Sequence, residues 1–198
     1  MPRIVHEQSF DGAGALIERL GLDELLAEVR DILSSFSLLV EERRDANSSK
    51  VVRVMIDAEF KRAGGWTQKK SGGVDWIKRQ AINGRPRHIC IGVEIQVSGR
   101  SDMLSVDLIH LRNELLQGAI DLAVLVVPSD LLGKFLTDRV AKLSEAKRHI
   151  AMARAERCLS CLWQLNTMEP ARPFRNSQNA RQARVPRSNP SVRKSRAR

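Results

Sequence analysis

The chain has 198 residues, of which 42% are hydrophobic and 28% are charged, a composition typical of a globular domain. No apolar run approaches the roughly 20 residues that a membrane helix needs, and the N-terminal residues lack a basic stretch followed by an apolar core. The sequence therefore excludes a membrane-spanning protein and predicts a cytoplasmic one without a secretory signal.

The net charge of +10 is concentrated at one end of the chain. Residues 158–198 hold nine of the 33 Lys and Arg residues and one acidic residue, Glu169, so they account for +8. Few large apolar side chains follow Phe174, and such a segment cannot bury enough surface to offset the entropy of ordering. We predict a folded domain over residues 1–157 and a basic, disordered tail over 158–198.

Two amphipathic helices begin the predicted domain. Residues 22–33 place leucine, valine and isoleucine on one face at helical spacing, with acidic residues opposite. The polar segment 45–49 offers N-cap residues for a second helix, which continues through Val51 and is ended by Gly64 and Gly65.

A strand hairpin follows the helices. Residues 74–77 form a short predicted strand, and Asn83-Gly84 is a strong turn signal. Over residues 88–97 isoleucine and valine alternate with His88, Cys90, Gly92, Glu94 and Gln96, which predicts a strand with one aliphatic face.

The remaining pattern predicts a helix over residues 103–117, a buried strand over 120–127 that ends at Pro128, and a final helix. Ser129 or Asp130 can cap that last helix, which we expect to run to about residue 156. This order of elements predicts an α/β protein of three layers in which the last crossover connects a parallel pair of strands.

Glu94 and Gln96 are the residues that point to chemistry. Their side chains share one face of the predicted strand, and Asp75 on the preceding hairpin can add a second carboxylate. Carboxylate and carbonyl oxygens are hard ligands that suit Mg²⁺. We therefore predict a magnesium site, although an E-x-Q sequence on a strand also occurs at solvent-facing edges.

Four segments together resemble a known family: Val74-Asp75-Trp76, Gly92-Val93-Glu94-Ile95-Gln96, the helix over 101–117 and the strand over 118–129. Over about residues 58–139 the sequence is similar to the BglII/BamHI-like type II restriction endonucleases of the PD-(D/E)xK superfamily. The resemblance implies a restriction-endonuclease-like fold with a central mixed sheet flanked by helices. It also implies Mg²⁺-dependent hydrolysis of double-stranded DNA, with Asp75, Glu94 and Gln96 as catalytic and metal-binding residues.

Gln96 stands where most of the superfamily has lysine, and it resembles the BglII branch in this respect. An amide does not titrate usefully, so Gln96 can orient water or bind metal but cannot act as a general base. Asp75 departs from the family pattern because no proline precedes it. Glu59, on the second helix, is a further candidate that could join the site through water.

Candidate DNA contacts flank the same strand. Arg85 and Arg87 lie beside the predicted turn, and Arg100 and Ser101 lead into a helix N-terminus, which can hold a phosphate or reach a base edge. The resemblance further implies a homodimer acting on palindromic DNA, and a restriction-modification system with a cognate DNA methyltransferase.

Two alternatives remain open at this point. The chain could be a non-catalytic or inactivated DNA-binding protein with a nuclease-like fold and a basic arm, or a repair or mobile-element nuclease of the same superfamily. We interpret the abrupt compositional change near Cys158 as a change of reading frame, because one allowed back-translation of residues 158–171, read two nucleotides later, encodes a strand-like segment and a turn. The competing interpretation is a native basic DNA-binding arm.

Overall fold

The computed structural model describes residues 1–10, 12–69, 73–81, 88–152 and 160–166. These residues form one six-stranded sheet with helices packed on both faces. In chain order the elements are β1 (Arg3–Ser9), α1 (Ala13–Leu20), α2 (Asp23–Ser34), α3 (Ser49–Ala63), β2 (Thr67–Gln68), β3 (Trp76–Ala81), β4 (His88–Ile95), a 3₁₀ turn (Ser101–Met103), α4 (Leu104–Leu116), β5 (Leu122–Pro128), α5 (Leu132–Phe135), α6 (Leu143–Met152) and β6 (Cys161–Asn166). In the part of the chain so described, no helix is long and apolar enough to cross a membrane.

The sheet is mixed, with strand order β1-β6-β5-β4-β3-β2. β3 and β4 form the predicted antiparallel pair, in which Trp76 faces Val93. β5 lies parallel to both β4 and β6. These pairings confirm the predicted three-layer α/β architecture and its parallel crossover, while the Asn83-Gly84 turn lies outside the described residues.

An apolar cluster on each face of the sheet explains why the central strands are hydrophobic throughout. The first cluster joins α1, α2 and α3 to side chains such as Ile91 and Trp163. The second packs α4 and α6 against side chains such as Cys90 and Leu162. The two faces predicted for β4 are therefore both buried, and its polar residues near the carboxyl end lie at the border of the second cluster.

The two predicted N-terminal helices are present as α2 and α3. The hydroxyl of Ser48 accepts a hydrogen bond from the backbone N–H of Val51, which satisfies one of the free donors at the start of α3. Gly64 ends α3 with φ 73°, a conformation that costs little only for glycine.

Two parts of the predicted order are wrong. β1 and α1 were not expected, because β1 alternates between exposed and half-buried residues and so carries no aliphatic stripe. The single final helix is instead α5 and α6, separated by a turn in which Asp138 and Arg139 have φ of 71° and 50°. Residues in the left-handed backbone conformation cannot continue a right-handed α-helix, so the predicted helix is interrupted here. The hydroxyl of Ser129 does accept from the N–H of Leu132 at 2.9 Å, but it does so at the start of the short α5, whose N-cap position is Leu131.

The folded domain continues beyond the predicted boundary after residue 157. β6 lies between β1 and β5 in the middle of the sheet, and Trp163 is 1% exposed. Because both faces of β6 are covered, its apolar residues show no alternation. The net charge of residues 158–198 comes from residues after this strand, so charge alone did not indicate a strand here. The last described strand therefore lies beyond the predicted boundary, and a change of reading frame stays a prediction. Residues 167–198 lie outside the described residues, so disorder of the tail stays a prediction.

Candidate active site

Asp75 is fixed against β4 by backbone pairing. Its N–H donates to the carbonyl oxygen of Val93 at 3.1 Å, and its carboxylate accepts from the N–H of Ile95 at 2.7 Å. These two contacts continue the ladder that begins at the Trp76–Val93 pair. The carboxylate of Asp75 is consequently held beside the strand segment that carries Glu94.

Glu94 and Gln96 lie near the carboxyl end of β4, and each is almost fully buried, with 8% and 6% exposure. The amide nitrogen of Gln96 donates to Oε1 of Glu94 at 3.5 Å and to a carboxylate oxygen of Asp107 on α4. Strand alternation puts the first two side chains on one face, and the crossover helix brings the third acid to them. The three predicted residues Asp75, Glu94 and Gln96 are thus together in the structure.

Mutual repulsion and burial perturb the acids of this cluster. Burial raises the pKa of Glu94 well above its usual range, and the charges of Asp75 and Asp107 raise it further. Burial likewise raises the pKa of Asp107, although nearby His110 opposes that shift. When neighbouring carboxyl groups cannot all ionise at once, some of them keep a proton unless a cation binds among them.

Arg53 is the cationic side chain that reaches the cluster from α3. Its guanidinium lies 2.5 Å from the carboxylate of Asp75 and 3.1 Å from that of Asp57, and it donates to the carbonyl oxygen of Ile95 at 2.9 Å. Burial opposes its charge, but the two carboxylates prevail and raise its pKa. The indole N–H of Trp76 also donates to Asp57 at 2.9 Å.

The structure does not bring Glu59 to the site. Its carboxylate accepts hydrogen bonds from Ser35 at 2.7 Å and from Arg62, and the bond from Ser35 is the main cause of its lowered pKa. Residues that are two positions apart in an α-helix point in directions that differ by roughly 200° around the helix axis. Asp57 therefore faces the cluster, and Glu59, two positions later, does not.

Three residues of the cluster had no predicted role: Arg53, Asp57 and Asp107. The i,i+4 pairing of Arg53 and Asp57 on one helix face is visible in the sequence, but such pairs are usually solvent-exposed. Asp107 lies in the first turn of α4, where an acidic residue is also explained by the helix dipole. Only the packing of α3 and α4 against the sheet distinguishes these residues from ordinary surface charges.

A groove of about 790 Å³ is lined by the segment that begins at Ser98, two residues after Gln96 in the chain. Its lining includes Ser101, three basic residues and three acidic residues, so its formal charges cancel: Lys50, Arg100, Arg139, Asp45, Asp102 and Asp138. The guanidinium of Arg100 is exposed and pairs with Asp102 at 2.9 Å, and the N–H of Ser101 donates to the carbonyl oxygen of Arg139 at 3.1 Å. The other two predicted DNA contacts, Arg85 and Arg87, lie outside the described residues.

The donor set of the cluster fits a hard divalent cation. Asp75 and Glu94 supply carboxylate oxygens, and the carbonyl oxygen of Ile95 lies beside Asp75, as their shared contact with Arg53 shows. Among the described residues, no three His, Cys, Asp or Glu side chains form a complete metal site. An ion here would accordingly need carbonyl or amide oxygens and water in addition, which is usual for Mg²⁺.

Comparison with known proteins finds a matching family and several similar solved structures. A family model described as restriction endonuclease BamHI matches residues 3–173, well past Cys158. Among solved structures, the chain is similar to a crystal structure of restriction endonuclease BglII complexed with a DNA 16-mer. The TM-score is 0.57 at 12% sequence identity, over 83% of this chain and 78% of that chain. This likeness confirms the predicted fold, and a search of curated protein sequences found no match.

Proposed function

The chain belongs to the BamHI family of restriction endonucleases, and we propose that it hydrolyses phosphodiester bonds of double-stranded DNA with Mg²⁺ bound between Asp75 and Glu94. The observation that supports this proposal is the convergence of Asp75, Glu94 and Gln96 at the carboxyl end of β4. The carboxyl ends of neighbouring parallel strands are where α/β sheets commonly place ligands. The family supports a DNA endonuclease, and the metal and its ligands are our proposal.

Each residue has a distinct role in this proposal. Asp75 and Glu94 would hold the ion, which supplies positive charge to a phosphoryl oxygen and acidifies water. The amide nitrogen of Gln96 already donates to Glu94 and Asp107, so its oxygen is the atom that can accept a hydrogen bond from an attacking water. Gln96 orients that water and takes no proton, because an amide does not titrate in this range.

We propose that DNA lies along the groove that begins after Gln96. Its basic residues Lys50, Arg100 and Arg139 are the proposed phosphate contacts, and they offset the charge of the three aspartates that also line it. Cationic side chains and serine hydroxyls are typical phosphate contacts, and the hydroxyl of Ser101 is the donor we propose, since its N–H is already bonded to Arg139. Arg85 and Arg87 remain proposed DNA contacts on their sequence position alone.

We also propose a homodimer with two copies of α4 in contact. Val106 and Ile109 are exposed roughly opposite to the buried Leu104, Leu108 and Leu111, and Leu116 at the end of α4 is exposed as well. A helix that is apolar on both sides normally has a partner on each. A second copy is the occupant we infer, because α4 starts immediately beyond the groove and a twofold contact there would direct one site to each strand of a duplex.

The family further supports the proposal of a cytoplasmic restriction-modification system with a cognate DNA methyltransferase. A methyltransferase gene next to the coding sequence would support this context over a repair role.

A non-catalytic DNA-binding protein is the second candidate function. The ion pair between Arg53 and Asp75 favours this candidate, because the pair occupies a carboxylate of the proposed metal site.

Cleavage of supercoiled plasmid in the presence and absence of Mg²⁺ tests the proposed function. We expect Asp75→Asn and Glu94→Gln to lose cleavage by a factor of about 10² or more, since each removes charge from the metal site. Glu59→Gln is the matched control, because this acid binds Ser35 and Arg62 away from the cluster. DNA binding without cleavage by the unmodified chain would favour the non-catalytic candidate.

A further inference from the structure

Arg53 lies where the proposed metal ion would find its oxygen ligands. One terminal nitrogen of its guanidinium is 2.5 Å from Oδ1 of Asp75, and the other donates to the carbonyl oxygen of Ile95 at 2.9 Å. Both oxygens border Glu94, since the Asp75 carboxylate also accepts from the N–H of Ile95. A guanidinium and a divalent ion would thus use the same two oxygens.

Arg53 has a second anchor that does not belong to this oxygen pair. Its Nε lies 3.1 Å from both carboxylate oxygens of Asp57, one helical turn further along α3. Asp57 is itself held by the indole N–H of Trp76 at 2.9 Å. The side chain can therefore lose its contacts with Asp75 and Ile95 and keep a charge-assisted bond inside the protein.

We propose that Arg53 is a resident counter-cation that holds Asp75 in the metal-free protein and must release Asp75 and Ile95 when a divalent ion binds. Arg53 remains bound to Asp57 in the metal-bound state. It is a positioning residue, and it makes the binding of metal weaker than the carboxylates alone would allow. This inference rests on the proposed function, because it takes Asp75 and Glu94 to be metal ligands.

Competition follows from the charges of the cluster. Arg53 lowers the repulsion among Asp57, Asp75 and Glu94, and a buried carboxylate that loses its cationic partner is strongly destabilised. Without Arg53 the metal-free cluster is less stable, and an ion that binds it relieves more repulsion. Removal of Arg53 should therefore lower the stability of the metal-free protein and raise its affinity for metal.

The test is calorimetric titration of the full chain with MgCl₂ in the absence of DNA, together with thermal unfolding in EDTA and in saturating Mg²⁺. We expect Arg53→Met to bind Mg²⁺ about tenfold more tightly than the unmodified chain. We also expect it to unfold at a lower temperature in EDTA and to gain more in melting temperature from Mg²⁺, as linkage requires. Arg62→Met, on an exposed residue of the same helix, should behave like the unmodified chain.

Arg53→Lys keeps the fold testable if the methionine variant does not fold. Lysine carries the charge but lacks the planar fork that spans Asp57, Asp75 and Ile95, so its affinity for Mg²⁺ should be intermediate. Equal or weaker Mg²⁺ binding by both Arg53 variants overturns the inference. If Asp75→Asn removes the Mg²⁺ binding of the unmodified chain while the Arg53 variants bind unchanged, the proposed metal site stands and only the role of Arg53 fails. If no variant binds Mg²⁺, both fail.

Discussion

Glu94 is the residue whose ionisation the fold opposes most clearly. Burial is the largest cause of its raised pKa, and Asp75 and Asp107 add to it, while Arg53 acts against the shift. A carboxyl whose pKa is higher in the folded than in the unfolded chain binds more protons when folded. The free energy of unfolding of the metal-free protein should therefore fall as the pH rises from the ordinary carboxyl range through the raised pKa of Glu94.

Replacing the Glu94 carboxylate should stabilise the metal-free protein, although we propose that catalysis requires this carboxylate. We expect Glu94→Gln to raise the free energy of unfolding in EDTA by about 1–3 kcal/mol at neutral pH and by less at acidic pH, where Glu94 is protonated. Urea unfolding across that pH range measures the effect. Glu59→Gln provides a control of opposite sign, since the pKa of Glu59 is lowered and its contribution should disappear on acidification. A pH-independent difference for Glu94→Gln would contradict the assigned cause.

Two substitutions of Gln96 test whether its side-chain oxygen or only its volume matters for cleavage. Gln96→Leu fills a similar volume without an acceptor, so we expect Mg²⁺-dependent cleavage to fall by a factor of about 10² or more. Gln96→Glu retains an acceptor and should keep measurable cleavage with an altered dependence on Mg²⁺. Initial rates over a Mg²⁺ titration decide this, with thermal unfolding as the check on folding. Equal rates for the unmodified chain and Gln96→Leu would give Gln96 a purely structural role.

At the scale of elements, local signals were sufficient for β4, α2 and α3. Strand alternation, helical spacing and the Ser48 cap act between neighbours in sequence, so they can be read without the fold. The same alternation identified Glu94 and Gln96 as polar residues on an aliphatic strand. The pairing of β5 with β6 and the left-handed turn between α5 and α6 depend on tertiary contacts, and the sequence pattern did not predict them.

The site was predictable only in part for the same reason. Glu94 lies on β4, Gln96 directly follows this strand, and Asp75 directly precedes the neighbouring β3, so the register of the two strands brings them together. Arg53 and Asp107 come from helices on opposite sides of the strand segment, and nothing local states which face of a helix meets an active site. The sequence offers Glu59 as the acid of α3 that could join the site, and only the packing of this helix shows that Asp57 is the acid that faces it.

The exposed stripe of α4 gives a prediction about assembly. We expect the unmodified chain to sediment as a dimer and Ile109→Glu to sediment as a monomer, because a charge buried in an apolar contact is costly. Val54→Glu is the matched control, since Val54 is similarly exposed but lies on α3. A monomeric unmodified chain would contradict the dimer, and dissociation by Val54→Glu alone would move the interface to α3.

For the whole molecule, the charge and the family match divide the chain at similar places. The family match ends at residue 173 and β6 ends at Asn166. The chain contains no acidic residue after Glu169, so its last 29 residues carry only positive charge. The domain before this segment is close to neutral. The positive charge of the chain is therefore concentrated after the last described strand.

The basic segment should add affinity for DNA without reading its sequence. Residues 172–198 contain nine basic residues and no acid: Arg172, Arg175, Arg181, Arg184, Arg187, Arg193, Lys194, Arg196 and Arg198. Contacts with phosphate are independent of base sequence, and each one adds about −0.9 to the slope of log affinity against log salt concentration. Deleting residues 172–198 should lower affinity for all duplexes, flatten the salt slope, and leave discrimination between duplexes unchanged.

Binding of two duplexes at several salt concentrations measures these effects together. One duplex is selected by the full chain from a random library, and the other is a scrambled sequence of the same composition. With both lengths of protein, the ratio of the two affinities should be equal, since we propose that the folded domain and not the basic segment reads base edges. If the shortened protein loses preference for the selected duplex while its salt slope stays the same, the segment reads bases, and the division of roles between domain and tail is wrong.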